Sequence, residues 1–338
     1  MSSNELMAPI PSATELMGSV SAPVLHQGDA GLGSELLDAG DTLLPRAILL
    51  QAQSPQVMEG MPGAKVGVWW LQPHNRPVTL KSEEPARFVV ARIFPAQRMW
   101  NPRDQGGGII CDASGGDLVA REALGVKGAS LDLMFDDKGT VSAIEWTGGK
   151  PTDKCIECVY GPAAAAAASG KPATGNGNAW LPKIIETKGR RVRLPDNLRS
   201  PKCTRSLDTL VLLAVPAFEG FQPEIVPAFI SFSRTSEPTG RQLAGMIRLA
   251  VREPAWSKIY TLSSRKMQND KGTWFAAAVS QFGFARPDLA EMARDLYEAS
   301  KTQTYRPDMS GSDETIEASV SSAETPPKDD EPAPDDAF

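Results

Sequence analysis

The chain has 338 residues, of which 41% are hydrophobic, and its formal net charge is −6. This length fits a globular protein with one large domain or two modest ones. The longest apolar run, Leu210–Phe218, is far too short to cross a bilayer, and a chain whose first basic residue is Arg46 lacks the pattern of a secretory signal. We therefore expect a cytoplasmic protein with reduced cysteines and no membrane partner.

Charge is distributed unevenly along the chain. Residues 1–45 carry six acidic and no basic residues, and residues 309–338 carry nine acidic residues and only Lys328. The stretch 46–308 holds 34 Lys and Arg against 26 Asp and Glu, a net charge of +8. A basic body between acidic ends is typical of a nucleic-acid-binding protein with an interaction tail.

The predicted elements are many short strands and few helices. Residues 1–40 are rich in Ser, Ala, Gly and Pro and are expected to be a disordered acidic leader. An apolar turn or helix is predicted over 43–50, and helices over 239–251 and 287–301. Strands rich in β-branched and aromatic residues are predicted at 64–71, 87–94, 130–135, 141–146, 208–215, 226–235, 257–266 and 273–282.

Four cysteines bracket a stretch, 148–207, that interrupts the series of strands. Cys155 and Cys158 form a C-x-x-C pair, and Cys111 and Cys203 stand 44 and 45 positions away from it. Such a turn lets two thiolates reach one tetrahedral ion, and two flanking cysteines would complete a structural zinc site. The alternative is four unrelated reduced cysteines.

Basic and aromatic side chains predict a nucleic-acid interface. The stretch 183–205 has eight basic and two acidic residues, which suits either a phosphate-contacting arm or a solvated loop. Period-two alternation in the strand predicted near 257–266 places Trp256, Lys258, Tyr260 and Lys266 on one face, where the rings could stack on bases and the lysines could contact phosphates. The alternative is ordinary burial of the two rings. The predicted nucleic-acid-binding residues are Arg87, Arg92, Arg98, Lys188, Arg190, Arg191, Arg193, Trp256, Lys258, Tyr260 and Lys266.

Catalytic patterns are sparse. The chain has only two histidines, His26 and His74, which makes a histidine-based triad improbable. The glycine-rich stretch 104–117 lacks the ending of a phosphate-binding loop. We expect no enzymatic activity.

The acidic tail ends in "PKDDEPAPDDAF". A flexible polyanion tethered to a basic body can occupy the binding groove until DNA displaces it. Asp335, Asp336 and the terminal Phe338 form a small apolar anchor with negative charges, which suits a basic pocket on a partner. A merely solubilising acidic terminus is the alternative.

This tail resembles those of bacterial and bacteriophage single-stranded-DNA-binding proteins, which are acidic and end in Phe. Residues 41–308 are similar to such phage proteins in four features: the segments "LPRAILLQAQSP" and "CDASGGD", the C-x-x-C insertion, and the hairpin predicted from the strands at 257–266 and 273–282. The resemblance implies sequence-nonspecific binding during phage DNA replication or recombination, in the host cytoplasm. It also implies that the tail recruits a polymerase, helicase or primase. The alternative is a zinc-ribbon adaptor of a polymerase or virion complex.

The expected fold is mainly β or α+β. We predict an OB-like barrel over 41–308 with a zinc-ribbon-like, basic element inserted at 148–207 and a C-terminal helix. Residues 309–338 are predicted to be a disordered acidic tail.

Overall fold

The computed structural model describes residues 43–82, 84–100, 109–114, 119–120, 125–152, 154–160, 181–187, 189–199, 203–250, 252–270, 272–302 and 305–308. The predicted leader and acidic tail lie outside these residues, so their disorder stays a prediction.

The described residues contain eighteen strands and four α-helices. The helices are α1 (Pro55–Met58), α2 (Asp196–Arg199), α3 (Glu237–Leu249) and α4 (Pro287–Thr302). The strands are β1 (Leu43–Leu44), β2 (Arg46–Leu49), β3 (Trp69–Gln72), β4 (Arg76–Pro77), β5 (Ala86–Trp100), β6 (Ile109–Ser114), β7 (Val119–Ala120), β8 (Gly125–Lys127), β9 (Ser130–Phe135), β10 (Val141–Thr147), β11 (Lys150–Thr152), β12 (Ile184–Thr187), β13 (Arg190–Arg193), β14 (Thr204–Val215), β15 (Glu224–Ser233), β16 (Lys258–Asn269), β17 (Gly272–Phe284) and β18 (Arg306–Pro307).

Ten of the strands form one sheet in the order β17-β16-β5-β14-β15-β2-β3-β4, with β6 and β7 attached beside β5. The sheet curls into a half-barrel. The predicted mainly β fold with a barrel-like sheet and a C-terminal helix is therefore confirmed. Short antiparallel pairs β8–β11, β9–β10 and β12–β13 stand outside this sheet.

The outer edge of β17 is bonded by side chains rather than by another strand. The side-chain amide of Gln51 donates to the carbonyl of Phe275 at 2.9 Å and accepts from its N–H at 3.0 Å. Ser236 accepts from the N–H of Ala277 at 3.2 Å, and Thr239 donates to its carbonyl at 2.8 Å. These bonds cover part of an edge that would otherwise be open to pairing with another chain.

Strand β14 is buried on both faces. Val211 and Leu213 lie with Leu243 of α3 in the largest hydrophobic cluster of the described residues, which we call the main core. Leu212 packs with Leu289 of α4 on the opposite side. Burial on both faces favours a continuous apolar run over alternation, as "LVLLAV" shows. Helices α3 and α4 therefore cover opposite faces of the same sheet.

The predicted turn or helix over 43–50 is wrong, because the structure has β1 and β2 there. Strand β2 pairs with β15 on one side and with β3 on the other, and Ala47 is buried in the main core. Pairing and burial override the helical tendency of a short Leu- and Ala-rich run.

A separate hydrophobic cluster joins the β9–β10 hairpin to the described part of the predicted insertion 148–207. Its buried members are Val141 from β10 and Leu181, Ile185 and Leu194 from the insertion. This part of the chain thus has a small core of its own beside the half-barrel.

Two glycines of α3 make a matched test of the packing between this helix and the sheet. A Cβ atom at Gly240 would lie 2.7 Å from Cβ of Phe232 and 3.2 Å from Cδ1 of Leu207, whereas nothing lies within 4 Å of one at Gly245. We expect Gly240→Ala to lower the free energy of unfolding by about 1–3 kcal/mol. Gly245→Ala should raise it by up to about 1 kcal/mol through helix propensity. Urea unfolding measures both, and equal effects would contradict close packing at Gly240.

Candidate functional site

Backbone pairing brings the four cysteines towards one end of the sheet. Cys111 of β6 pairs with Met99 near the end of β5. On the other side of β5, β14 begins immediately after Cys203. The N–H of Cys203 donates to the carbonyl of Tyr160 at 3.3 Å, two residues after Cys158. The C-x-x-C turn therefore lies beside both flanking cysteines.

Three of the four cysteines are buried and Cys203 is partly exposed, and the thiols influence one another. Cys111 and Cys155 belong to one hydrophobic cluster with Met99 packed against it. Burial raises the pKa of the Cys155 thiol to about 12, and the negative charges of Cys111, Cys158 and Asp112 act in the same direction. Burial likewise raises the pKa of Cys203, with Cys158, Cys155 and Cys111 contributing. Cys155 and Cys203 thus each lie within electrostatic range of the other three thiols.

The donor set suits a soft metal ion. Neighbouring sulfurs of this kind would be stabilised as thiolates by a dication, and sulfur ligation favours Zn²⁺. Within the ranges that the structure describes, no three His, Cys, Asp or Glu side chains are arranged to hold a metal ion as they stand. The predicted zinc site at Cys111, Cys155, Cys158 and Cys203 remains a prediction.

Arg98 was predicted to contact nucleic acid, but the structure buries it, with 3% of the residue exposed. Its guanidinium donates to both carboxylate oxygens of Asp208, at 3.0 and 2.6 Å, and to Ser206 at 3.0 Å. It also forms an ion pair with Asp112 at 3.0 Å. Arg98 holds β5, β6 and β14 together, and its assignment to the interface is corrected.

Three further predicted residues make structural contacts. Arg92 donates to the carbonyl of Ser300 near the end of α4 at 2.6 Å. The ring of Trp256 packs on Tyr297 with centroids 4.9 Å apart, and Trp256 lies in a 3₁₀ turn before β16. Lys258 is buried and pairs with Glu253 at 2.7 Å. These contacts account for Arg92, Trp256 and Lys258 without nucleic acid.

Tyr260 was predicted to stack on bases, but none of its surface is exposed. Its ring lies 5.7 Å from that of Phe88 in the main core. The predicted alternation holds within β16, but Trp256, which was predicted to share the face of Tyr260, packs instead with Ile259 and α4, and the face that carries Tyr260 is turned to the core. Lys266, further along the same face, is exposed beyond the core, and we leave it out of the interface.

The basic arm, which we define by the three arginines of the basic stretch 183–205 that lie on β13, is exposed. Arg190, Arg191 and Arg193 are all exposed on β13, which pairs with β12 around a turn at Gly189 with φ of +73°. Lys188 and the predicted partner-binding residues Asp335, Asp336 and Phe338 lie outside the described residues.

The structure adds an aromatic partner that the sequence-based prediction missed. The guanidinium of Arg87 lies 3.7 Å from the centroid of the Phe282 ring, and Phe282 is 53% exposed. Arg87 was predicted from its basic character, but its ring partner is 195 positions away. Only the pairing of β5 with β16 and of β16 with β17 brings the two together.

Comparisons with known proteins place the chain in a family. Residues 14–306 match the family model described as Pam3 phage gp34-like protein. No curated protein and no solved structure matches the chain. None of the helices in the described part of the chain is long and apolar enough to span a membrane.

Proposed function

The chain belongs to the Pam3 phage gp34-like protein family, and within this phage-associated family we propose that it binds single-stranded DNA during replication or recombination. Binding would be independent of sequence, because bases are held by stacking and phosphates by charge. Long-range attraction would come from the +8 charge of residues 46–308.

The contact between Arg87 and Phe282 is the observation that supports this proposal most directly. A guanidinium beside an exposed ring on a sheet surface offers a nucleotide both a cation for its phosphate and a flat apolar face for its base. The exposed arm with Arg190, Arg191 and Arg193 adds positive charge from a second element.

Fluorescence anisotropy with labelled oligo-dT tests the proposal. We expect binding at low salt that weakens as salt rises, since neutralised phosphates release counterions. A duplex of the same length should bind less tightly. Absence of binding, or equal affinity for duplex and single strand, would overturn the proposal.

Recruitment of a polymerase, helicase or primase by the acidic tail is part of the same proposal. The support is its sequence alone, with nine acidic residues after position 308 and Phe338 at the end. Phe338→Ala should reduce capture of these partners while oligo-dT affinity stays unchanged, because the acidic charges remain.

A second candidate function is a zinc-ribbon adaptor of a polymerase or virion complex. The observation that favours it is the separate cluster around Val141 and Leu194, which gives this part of the chain a core of its own. An adaptor would retain its protein partner after nuclease treatment and after replacement of Arg190, Arg191 and Arg193 by Ser. Loss of the partner under either condition would favour DNA binding instead.

We also propose that Cys111, Cys155, Cys158 and Cys203 hold one structural zinc ion. Four cysteine ligands leave no open position for a substrate, so the ion would stabilise the fold and take no part in a reaction. Support comes from the backbone bonds that bring the cysteines together and from the packing of Cys111 against Cys155.

Blocking the thiols with a mercurial reagent in the presence of a chromogenic chelator should release about one zinc ion per chain. Cys155→Ser should lower the zinc content to near zero, because three ligands bind far more weakly than four. Elemental analysis and the absorption of the Co²⁺-substituted protein provide independent measurements. Purified protein that lacks metal and yet unfolds at the same temperature with and without added Zn²⁺ would contradict a structural site.

A further inference from the structure

The hairpin of β16 and β17 has two faces with different surroundings. On the inner face, Tyr260 and Leu262 lie in the main core. Ser264 continues this face and donates to the carbonyl of Gly67 at 2.7 Å. Side chains alternate along a strand, so Thr261, Ser263, Arg265 and Met267 point to the outer face.

Strand register defines which residues share this outer face, because directly opposite residues of antiparallel strands lie on the same side. Arg87 of β5 lies opposite Thr261, and Thr261 lies opposite Ser280. The exposed hydroxyl groups of Thr261 and Ser280 are 2.6 Å apart. The remaining rows, in order towards the hairpin turn, are Ser263 with Ala278, Arg265 with Ala276, and Met267 with Trp274.

We define the outer strip as these four rows together with Arg87 and Phe282. Apart from Arg265, its middle rows consist of small and hydroxyl side chains, which do not project far from the sheet. An aromatic ring stands at each end, Phe282 beside Arg87 and the half-buried Trp274 beside Met267. From Thr261 to Met267 the strip covers six residue steps, or about 20 Å along the strand.

The charged side chains of the outer strip are all positive. Arg87 and the exposed Arg265 are its ionisable residues, and none of the residues named in its rows is Asp or Glu. A strip with cations, hydroxyl donors and an aromatic ring at each end complements a flexible polyanion whose bases are unpaired.

We propose that the outer strip is the path of the single strand, which deepens the proposed function and rests on it. Bases stack on Phe282 and Trp274, and Arg87 and Arg265 contact the phosphates between them. The strand therefore runs along the hairpin towards its turn, on the face opposite to the one that carries Tyr260 and Lys266.

Neighbouring residues on opposite faces provide a matched test. Arg265 and Lys266 are both exposed and both basic, but only Arg265 lies on the outer strip. Arg265→Ser should weaken oligo-dT binding about tenfold at low salt and reduce the dependence of log K on log salt concentration by about one. Lys266→Ser removes the same charge from the other face and should change the affinity no more than about twofold.

A pair of exposed phenylalanines tests the stacking. Phe282 lies at the register shift between β16 and β17, where it contacts Arg87. Beyond the shift, Phe284, which is 67% exposed, pairs with Lys258, and alternation along β16 puts Lys258 on the face of Tyr260 rather than on the outer strip. Phe282→Ala should weaken binding about tenfold or more, since loss of one base-stacking ring has an effect of this order. Phe284→Ala should bind like the unmodified protein. Circular dichroism and thermal unfolding establish that the four variants are folded.

The outcomes separate the path from the function. If unmodified protein binds oligo-dT but Arg265→Ser and Lys266→Ser lose the same affinity, and Phe282→Ala loses none, the outer strip is not the path although the protein binds single strands. If unmodified protein binds no oligo-dT at any salt concentration, the proposed function itself is overturned. Loss of oligo-dT affinity in Arg265→Ser and Phe282→Ala, with Lys266→Ser and Phe284→Ala unchanged, supports both the path and the proposed function.

Discussion

Asp208→Asn is expected to lower the free energy of unfolding by about 3–5 kcal/mol, because it leaves a buried guanidinium with half of its charge compensation. Asp208 has no exposed surface and accepts from both terminal nitrogens of Arg98. Asp112, the other carboxylate on Arg98, is a quarter exposed and is reached by a different nitrogen. Urea unfolding followed by circular dichroism measures the loss.

Two comparisons isolate the cause of this loss. Glu298→Gln breaks an exposed ion pair with Lys301 and should cost no more than about 1 kcal/mol. Replacing both buried partners, Arg98→Met together with Asp208→Leu, should recover much of the stability, since no fully buried charge remains and Asp112, which loses its ion pair with Arg98, is a quarter exposed to water. An Asp208→Asn variant within about 1 kcal/mol of the unmodified protein would show that Arg98 does not depend on this carboxylate.

Tyr260→Ala is the second large expected effect, a loss of about 3–5 kcal/mol in the free energy of unfolding. The substitution leaves a cavity beside Phe88 and Leu262, which share the main core with Tyr260. Tyr260→Phe retains the ring and should cost less than about 1.5 kcal/mol. Thermal and urea unfolding of the three proteins measure the difference.

The same pair of variants decides between burial and base stacking at this position. If Tyr260→Ala keeps its stability and loses oligo-dT affinity as Phe282→Ala does, the side chain contacts DNA. A stability loss confined to Tyr260→Ala, with Tyr260→Phe binding normally, is what burial requires.

Local patterns predicted elements whose surroundings are simple. Pro287 at the start of α4 and the apolar spacing after it predicted that helix over 287–301, and the structure has Pro287–Thr302. The strand prediction at 208–215 matched most of β14, which lies between two other strands and is buried on both faces. In these two elements the local composition and the tertiary environment favour the same structure, so the sequence alone is sufficient to predict them.

The cysteines illustrate an intermediate case. The spacing of Cys155 and Cys158 indicated a shared turn, and the structure has a 3₁₀ turn there. That Cys111 and Cys203 lie near this turn depends on β6 and β14 pairing along opposite edges of β5. Such pairings join segments far apart in the chain, and their register is set by the whole sheet rather than by the residues around each cysteine.

The sequence by itself determined which residues of β16 lie on the same face, because alternation follows from backbone geometry alone. Only the tertiary structure decided how far each face is covered, since that depends on packing against the rest of the sheet and the helices. Arg98 shows the same limit: its basic character suggested an interface, but its ion pair with Asp208, 110 positions away, places it in the interior. Likewise, Phe282 belongs to the proposed binding surface only because strand pairing places it against Arg87. Contacts of this kind are set by long-range packing, which no local pattern encodes.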